Sequence, residues 1–405
     1  MYTICNIIET ELPMNHVPRS AVVSASVASE TELAAQAKAE SLRALRAVHR
    51  AMGELRRGRP VLLLADLPLV IVPAETAQPE SLADLLAVAT SKPLLLLGAG
   101  RAAVLQGQPA PPDETPVAFT LPDDLLSARV LREVADPTAS DGVTPAGAPV
   151  LGSAELPQAA RGALALLKIA RLLPAAVIAE ADIASGGAAD RMELLRVTEA
   201  EALTHASRAA SMLSRIAEAN VPLEDASDAR VVAFRAPDGG VEHLAIVIGK
   251  PDLCEAPLVR VHSECFTGDL LGSLRCDCGP QLRAAIRRMA EEGAGVVLYL
   301  AQEGRGIGLV NKLRAYALQD RGLDTLDANR ALGWAADERN FLAAAIMLDA
   351  LDVHRIRLLT NNPDKVAALV ECGIDVAGRE PHALPANGVN DAYLATKAKR
   401  FGHFL

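Results

Sequence analysis

Three of the six cysteines in this 405-residue chain lie between residues 265 and 278, in the pattern C-x10-C-x-C. Cysteine thiolates are nucleophiles and metal ligands, and zinc takes three or four sulfur or nitrogen ligands in a tetrahedron. No fourth cysteine joins Cys265, Cys276 and Cys278. Because three protein ligands leave one position open for a water, whose pKa zinc lowers to about 7, the spacing favours a catalytic zinc site over a structural one.

Two other interpretations compete with this one. The first is that the cysteines are incidental core residues, although the residues that flank Cys276 and Cys278 are charged rather than apolar. The second starts from residues 262–264, which form the H-x-E triplet of the zinc nucleobase deaminases. That family also needs P-C-x-x-C, whereas Arg275 precedes a C-x-C pair here, so we reject the deaminase interpretation.

Three further segments place polar residues beside predicted helices. Residues 302–308, QEGRGIG, lie between a strand and a helix, where glycines let a ligand approach the backbone and a helix N-terminus favours an anion. Residues 337–339, DER, are predicted to start a helix, and an ordinary charged first turn is the simplest interpretation of them. Thr360 is predicted to end a strand and Lys365 to lie in the next helix's first turn, where α/β sheets bind ligands.

Together these segments resemble the GTP cyclohydrolase II family, which opens the guanine ring of GTP at the start of riboflavin synthesis. The family's R-V-H-S-E-C, T-G-D and R-C-D-C-G are present at residues 260–265, 267–269 and 275–279. Its Q-E-G-R-x-I-G, D-E-R, L-L-T-N-N-P-x-K and N-x-x-Y-L-x-T-K are present at residues 302–308, 337–339, 358–365 and 390–397. The resemblance covers residues 211–405 strongly.

The resemblance implies a role for each matching residue. It implies zinc, one ion per chain, on Cys265, Cys276 and Cys278, and Mg²⁺ with the triphosphate. Asp337 is the implied proton acceptor, and Arg339 the implied nucleophile toward the α-phosphate, although a guanidinium that stays protonated is better suited to hold phosphate. The third implied catalytic residue is Tyr316, for which a core aromatic on an amphipathic helix is the alternative. The residues implied to bind GTP are Arg260, Val261, His262, Ser263, Glu264, Gln281, Glu303, Gly304, Arg305, Thr325, Thr360 and Lys365.

The implied reaction has two hydrolytic steps and one loss of pyrophosphate. A water activated by zinc attacks C8 of guanine, and a second water releases formate. The product is 2,5-diamino-6-ribosylamino-4(3H)-pyrimidinone 5′-phosphate. The alternatives are a related enzyme that keeps the formyl group, a bifunctional riboflavin enzyme, and a protein that binds GTP or zinc without turnover.

The first half of the sequence alternates predicted helices and strands, which indicates an α/β or α+β layer domain. Helices are predicted over residues 31–58, 79–89 and 152–172, and strands over residues 61–64, 69–72, 94–97 and 175–179. The order resembles 3,4-dihydroxy-2-butanone 4-phosphate synthase, a family often fused ahead of GTP cyclohydrolase II. That family's acidic run and its G-H-T-E are replaced by ADLPLV at residues 65–70 and AELP at residues 154–157. Since one aspartate cannot hold Mg²⁺ as a carboxylate cluster does, we expect a fold that has lost its chemistry.

The second half is also predicted to be α/β. Strands are expected over residues 231–234, 244–248, 259–262 and 296–300, and helices over residues 281–289 and 363–373. The predicted organisation is therefore a poorly ordered tail over residues 1–30, a degenerate α+β synthase-like domain over 31–208, and an α/β GTP cyclohydrolase II domain over 211–405.

Composition limits the remaining function classes. The net charge of −10 argues against a general nucleic-acid binder, and no apolar run is long enough to span a membrane. The first residues lack the basic segment of a secretory signal, and the other cysteines, Cys5, Cys254 and Cys372, are scattered. We therefore expect a cytoplasmic protein, and the resemblance implies a homodimer.

Overall fold

The computed structural model describes residues 19–109, 111, 115–139, 151–402 and 404. Contacts divide the chain into two units, residues 1–43 and residues 44–405. Helix α1 (Arg19–Arg56) spans both units, and in the first unit the side chains of residues 32–40 are exposed. The helix was predicted to begin at residue 31. No proline or glycine occurs between Arg19 and Met52, so nothing in the sequence prevents it from beginning earlier. Residues 19–30 of the predicted tail are therefore helical, and residues 1–18 lie outside the described residues.

The first sheet has six strands in the order β4-β3-β5-β2-β1-β6. They are β1 (Val61–Leu64), β2 (Leu69–Pro73), β3 (Leu94–Leu97), β4 (Val117–Thr120), β5 (Ala175–Glu180) and β6 (Arg196–Thr198). All neighbours pair antiparallel except β1 and β6, which are parallel. Continuous apolar runs such as VLLL in β1 and LLLL in β3 predict strands that are buried on both faces, and both strands are almost wholly buried.

Helices cover both faces of this sheet. They are α2 (Pro79–Val88), α3 (Ala99–Leu105), α4 (Ala128–Ala135), α5 (Ala160–Ile169), α6 (Ala188–Arg191) and α7 (Glu199–Ser211). One face packs on α5, α7 and the end of α1, through residues such as Leu55 and Leu167. The prediction of a helix from residue 152 is wrong, because α5 begins at Ala160 and Ser153 bridges to β4. Pro157 disfavours a helical conformation at the residue before it, which delays the helix.

The second sheet has seven strands in the order β13-β12-β10-β11-β9-β8-β7. They are β7 (Ser214–Asn220), β8 (Arg230–Arg235), β9 (His243–Ile248), β10 (Leu258–Ser263), β11 (Gly295–Leu300), β12 (Arg355–Leu359) and β13 (Asp375–Glu380). Strands β11, β10, β12 and β13 run parallel, whereas β7, β8, β9 and β11 pair antiparallel. The four strands predicted here are confirmed, each with bounds that differ by at most one residue at either end.

In the described part of the chain, six α-helices accompany the second sheet. They are α8 (Cys278–Glu292), α9 (Leu309–Asp320), α10 (Thr325–Ala331), α11 (Leu342–Asp349), α12 (Pro363–Glu371) and α13 (Asp391–Phe401). Helix α12 begins at Pro363 with Asn362 as its cap, as predicted, because the Asn362 side chain accepts a hydrogen bond from Asp364 N. None of the helices that the structure describes is long and apolar enough to cross a membrane.

The two sheets belong to one compact unit. We call residues 44–213 the N-terminal half and residues 214–402 the C-terminal half. Helices α9 and α10 of the C-terminal half place Leu318 and Ala331 in the same buried cluster as Leu97 and Leu173 of the N-terminal half. The predicted domain boundary at residues 208–211 falls at the end of α7, where the chain passes from the first sheet to the second. The halves are therefore joined by a shared core.

Candidate active site

Three neighbouring parallel strands end at one edge of the second sheet. Strand β10 lies between β12 and β11, and its last residue, Ser263, is paired with Leu300, the last residue of β11. Cys265 follows β10, Glu303 follows β11 and Thr360 follows β12. The carboxyl ends of parallel strands are where α/β sheets bind ligands, so the fold brings three separate motifs to one place.

The three predicted metal ligands form a compact thiol cluster. The Sγ atoms of Cys265, Cys276 and Cys278 all lie within 4.8 Å of one another, and those of Cys265 and Cys276 are 3.7 Å apart. Tetrahedral zinc with Zn–S bonds of about 2.3 Å would separate two sulfurs by about 3.8 Å. A Cβ on Gly268 would lie 2.7 Å from Cys276 Sγ, so only glycine fits beside the cluster. The cluster can hold a metal ion, and its spacing fits zinc.

A buried ion pair that the sequence analysis missed lies against this cluster. Lys312 Nζ in α9 donates to Cys265 Sγ at 3.0 Å and to Glu303 Oε1 at 2.8 Å. Glu303 also accepts hydrogen bonds from Phe266 N at 2.7 Å and from Gly304 N at 2.9 Å. Burial lowers the pKa of Lys312, but the contacts with Glu303 and Cys265 outweigh it and raise the pKa above the ordinary value. The ammonium group therefore offsets thiolate charge at the metal cluster.

The three thiols differ in pKa. Hydrogen bonds from Cys276 and Cys278 hold the pKa of Cys265 far below its usual range, and Lys312 lowers it further. The hydrogen bond to Cys265 raises the pKa of Cys276 and of Cys278, and burial adds to the rise. Cys265 is thus the thiol most ready to be a thiolate.

Asp269, the last residue of the T-G-D motif, organises the wall beside the cluster. Its carboxylate lies 3.1 Å from His262 Nε2 and accepts hydrogen bonds from Tyr299 Oη and Cys265 N, both at 3.0 Å. The rings of His262 and Tyr299 stack with centroids 5.6 Å apart. Burial lowers the pKa of His262, although the contact with Asp269 raises it. A neutral imidazole is therefore held in a fixed orientation at the cleft.

Arg260 and Lys365 bring positive charge to the same sheet edge. Arg260 donates to Leu359 O at 3.0 Å and to Gln281 Oε1 at 2.5 Å, and burial lowers its pKa to about 10, which keeps it protonated. Lys365 Nζ donates to Val261 O at 2.9 Å. The Val261 side chain lies in the core and does not line the cleft, because alternate residues of a strand face opposite sides. Its expected contact with substrate can only come from its backbone.

Asp337 and Arg339 lie before a helix and not at its start. Helix α11 begins at Leu342, whose N–H is capped by Asn340 Oδ1 at 2.8 Å, so the charged residues form a preceding loop. Arg339 Nε donates to Asp337 Oδ1 at 2.8 Å. Burial raises the pKa of Asp337, but the hydrogen bonds from Arg339 outweigh it and lower the pKa. Asp337 therefore fixes the guanidinium of Arg339 and does not itself line the cleft.

A single cleft contains nearly all of the predicted site. It encloses about 1070 Å³ when its open mouth is included, and all predicted site residues except Val261 and Asp337 line it. Residues in its wall that the sequence analysis did not assign to the site are Ile307, Lys312, Ala315, Gln319, Asn329, Asn361 and Asn362. Arg260 Nε and Ser263 Oγ are buried without a hydrogen-bond partner in the described part of the chain. Because buried polar atoms are rarely unpaired, these two indicate where a polar ligand would bind.

Comparison with known proteins agrees with this geometry. Residues 214–381 match the family model described as GTP cyclohydrolase II. A GTP cyclohydrolase-2 from Azospirillum brasilense is 47% identical over 372 residues, which are 89% of this chain and 94% of that protein. The chain belongs to the GTP cyclohydrolase II family. A GTP cyclohydrolase-2 from Pasteurella multocida (strain Pm70) is 50% identical over 194 residues, which are 48% of this chain and 88% of that protein.

These relatives of the GTP cyclohydrolase II family differ in how much of the chain they match. The A. brasilense match extends well beyond residues 214–381 and into the N-terminal half, whereas about half of the chain accounts for most of the P. multocida protein. A solved two-domain 3,4-dihydroxy-2-butanone 4-phosphate synthase from A. baumannii covers 84% of this chain and 99% of its own, at 18% identity and a TM-score of 0.32. A TM-score of that size supports no argument about the fold.

Proposed function

We propose that this chain is a GTP cyclohydrolase II that opens the imidazole ring of GTP, releases formate and pyrophosphate, and yields 2,5-diamino-6-ribosylamino-4(3H)-pyrimidinone 5′-phosphate. The observation that carries the proposal is one cleft that joins the three-thiol cluster to Arg260, Arg305, Arg339 and Lys365. In a chain with a net charge of −10, these four cations, together with Lys312 beside the thiols, make the cleft a local site for an anionic ligand. Family membership supports the same activity.

Cys265, Cys276 and Cys278 would hold the zinc ion, and Lys312 would balance its thiolates. When bound, zinc would supply the Lewis acid that activates water for hydrolysis at C8 of guanine. Burial raises the pKa of Tyr316, so its hydroxyl keeps its proton and can donate a hydrogen bond to the opening ring. Burial and the neighbouring Glu303 raise the pKa of Glu264, which lines the same part of the cleft and can exchange a proton nearer neutral pH.

The phosphates would lie toward the cations. Arg339 is held by Asp337 and presents a planar fork that suits two phosphate oxygens, and Arg305 and Lys365 line the cleft with it. Magnesium would accompany the triphosphate and offset its charge when pyrophosphate leaves. We assign to Arg339 the role of holding the α-phosphate, because a guanidinium is a weak nucleophile and its planar array of N–H donors suits phosphate oxygens.

The N-terminal half is proposed to lack synthase chemistry. Asp66 stands exposed in the turn between β1 and β2, where the synthase family has its acidic run. Among the described residues, the three thiols are the only group of three Cys, His, Asp or Glu side chains close enough to share a metal ion. We therefore expect no butanone phosphate when the protein is incubated with ribulose 5-phosphate and Mg²⁺, and any metal-dependent product would contradict this proposal.

We also infer that the chain works as a cytoplasmic homodimer. The segment between Cys265 and Cys276 exposes Leu270, Leu271 and Leu274, each more than 60% accessible, as a partner surface would. Light scattering on the purified protein would give the oligomeric state, and a monomer would overturn the inference.

The cyclohydrolase activity is tested by incubating the protein with GTP, Mg²⁺ and Zn²⁺ and measuring formate, pyrophosphate and the pyrimidine product. We expect one formate and one pyrophosphate for each GTP consumed. A product that keeps the formyl group would point instead to the related activity that stops at the formamide. Unchanged GTP at full zinc occupancy would overturn the proposal.

A further inference from the structure

Glu338 connects the N-terminal half to the Asp337–Arg339 loop. Its Oε1 accepts a hydrogen bond from Lys168 Nζ at 2.5 Å and one from Ala335 N at 2.9 Å. Lys168 belongs to α5, and the two side chains are only 22% and 20% exposed. Glu338 N donates to Arg305 O at 3.0 Å. One residue thus joins a helix of the N-terminal half, the loop that carries Arg339, and the backbone of Arg305.

Arg171 makes a second connection, to the glycine-rich turn. Its Nη2 donates to Ala301 O at 3.1 Å, and its carbonyl accepts from Asn311 Nδ2 at 3.0 Å. A Cβ on Gly308, whose φ is +87°, would lie 2.9 Å from Arg171 Cδ. The side chain of Arg171 therefore packs directly on the residue that precedes α9.

Arg314 makes a third connection, on the side of α9 that faces the N-terminal half. Its guanidinium donates to Glu75 Oε1 and Asp136 Oδ2, both at 2.9 Å, and it is 17% exposed. Residues three and four apart share a helix face, so Asn311 and Arg314 face the N-terminal half while Lys312 and Tyr316 face the cleft. The orientation of the cleft-facing pair is fixed by contacts on the opposite side of the same helix.

From these contacts we propose that the N-terminal half positions the active site of the C-terminal half, and that Lys168 is a positioning residue that acts on Arg339 through Glu338. This inference rests on the proposed cyclohydrolase function. A displacement of about 1 Å in a group that aligns substrate can lower a rate about 100-fold. Without Lys168, the Glu338 carboxylate keeps the hydrogen bond from Ala335 N but loses its cationic partner. The loop that carries Arg339 then loses this ion pair with α5.

The test compares Lys168→Met with the conservative Lys168→Arg. We expect kcat for GTP to fall about 10- to 100-fold in Lys168→Met. We expect KM to stay within about threefold, because Arg305 and Lys365 still bind the phosphates. Lys168→Arg should keep at least about a third of the parental kcat, since it restores a cation to Glu338. Arg161→Met, which removes an exposed cation from the same helix, should behave as the parental chain.

Unfolding of the variant must be distinguished from displacement of Arg339 in a folded variant. Removing one partner of a largely buried pair leaves the other charge uncompensated, so a fall in kcat in Lys168→Met alone would not distinguish unfolding from displacement. The double variant Lys168→Met/Glu338→Gln leaves no unpaired carboxylate, and we expect it to keep the parental melting temperature and zinc content but to show the same fall in kcat.

Two results would overturn the inference while the proposed function stands. One is parental kcat in both Lys168→Met and the double variant, measured beside a parental chain that releases formate. The other is a fall in kcat that tracks lost zinc or a lowered melting temperature in every variant, Arg161→Met included. A parental chain that releases no formate at full zinc occupancy would overturn the proposed function instead.

Discussion

Replacing Lys312 by methionine should weaken zinc binding and destabilise the metal-free protein. The ammonium group lies 3.0 Å from Cys265 Sγ and 2.8 Å from Glu303 Oε1, and the Lys312 and Glu303 side chains are 11% and 4% exposed. Methionine fills a similar volume but cannot donate a hydrogen bond. Breaking a buried pair costs about 3–5 kcal/mol when the remaining charge is uncompensated. Glu303 keeps two backbone hydrogen-bond donors, so we expect the free energy of unfolding to fall by about 3 kcal/mol.

The effect on zinc follows from the charge beside Cys265. Three thiolates and one Zn²⁺ carry a net charge of −1, and Lys312, whose ammonium group lies 3.0 Å from Cys265 Sγ, offsets part of it. Loss of a residue that hydrogen-bonds a metal ligand typically lowers affinity about 10- to 100-fold. Competition with a chromophoric chelator would measure the zinc dissociation constant, and urea unfolding of the metal-free protein would measure the free energy of unfolding.

Two controls separate charge from packing. Lys92→Met removes an exposed lysine of the N-terminal half and should change neither quantity. In Lys312→Met/Glu303→Gln the unpaired carboxylate is gone, and we expect about 2 kcal/mol of stability to return while zinc affinity stays low. If Lys312→Met bound zinc within about twofold of the parental chain and unfolded within about 0.5 kcal/mol of it, our account of this pair would be wrong.

Three further predictions concern the metal, the phosphate end and pH. Cys276→Ser should lose most of its zinc by elemental analysis together with formate release, and full zinc occupancy would contradict the ligand assignment. Arg339→Ala should keep its zinc but lose about 100-fold or more in kcat, and parental turnover would exclude both roles considered for it. Burial lowers the pKa of His243 to about 4. Between pH 6.5 and 4, this imidazole is therefore protonated in the unfolded chain but not in the folded chain. Stability should therefore fall by up to about 3 kcal/mol as pH decreases through that window, and urea titrations of His243→Asn should show a smaller fall.

The thiol cluster and most of the cleft could be predicted from the sequence because their residues occur in short contiguous motifs. Cys265, Cys276 and Cys278 lie close in sequence, and strands β10, β11 and β12 lead directly into the segments that hold Cys265, Glu303 and Thr360. Parallel pairing then brings the motifs together. A motif position does not tell which face of a strand a side chain occupies, so the motif alone did not show that the Val261 side chain lies in the core.

Lys312 could not be recognised in this way because its role depends on two distant partners. It lies 47 residues from Cys265 and 9 from Glu303 in sequence, and only the packing of α9 joins them. One signal was present: Lys312 precedes Tyr316 by four residues, which places both on one helix face. Strand β7 was missed for another reason, since all seven of its residues are exposed and the sequence SRIAEAN has no buried face to give a pattern.

The structure also gives a physical reason for keeping a half that we propose to lack synthase chemistry. A Cβ on Gly98 would lie 2.6 Å from Gly333 O, and one on Gly100 would lie 2.3 Å from Arg330 O, so backbone packs directly on backbone where the halves meet. Without the N-terminal half, Leu318 and Trp334 would lose much of the buried cluster that surrounds them, and a shortened chain would expose that apolar surface to water. Arg314 would lose both carboxylates that bind it, on the helix that holds Lys312 against the thiols. On our proposals, the N-terminal half is thus retained without its own reaction because the fold and the site of the C-terminal half depend on the surface that it covers.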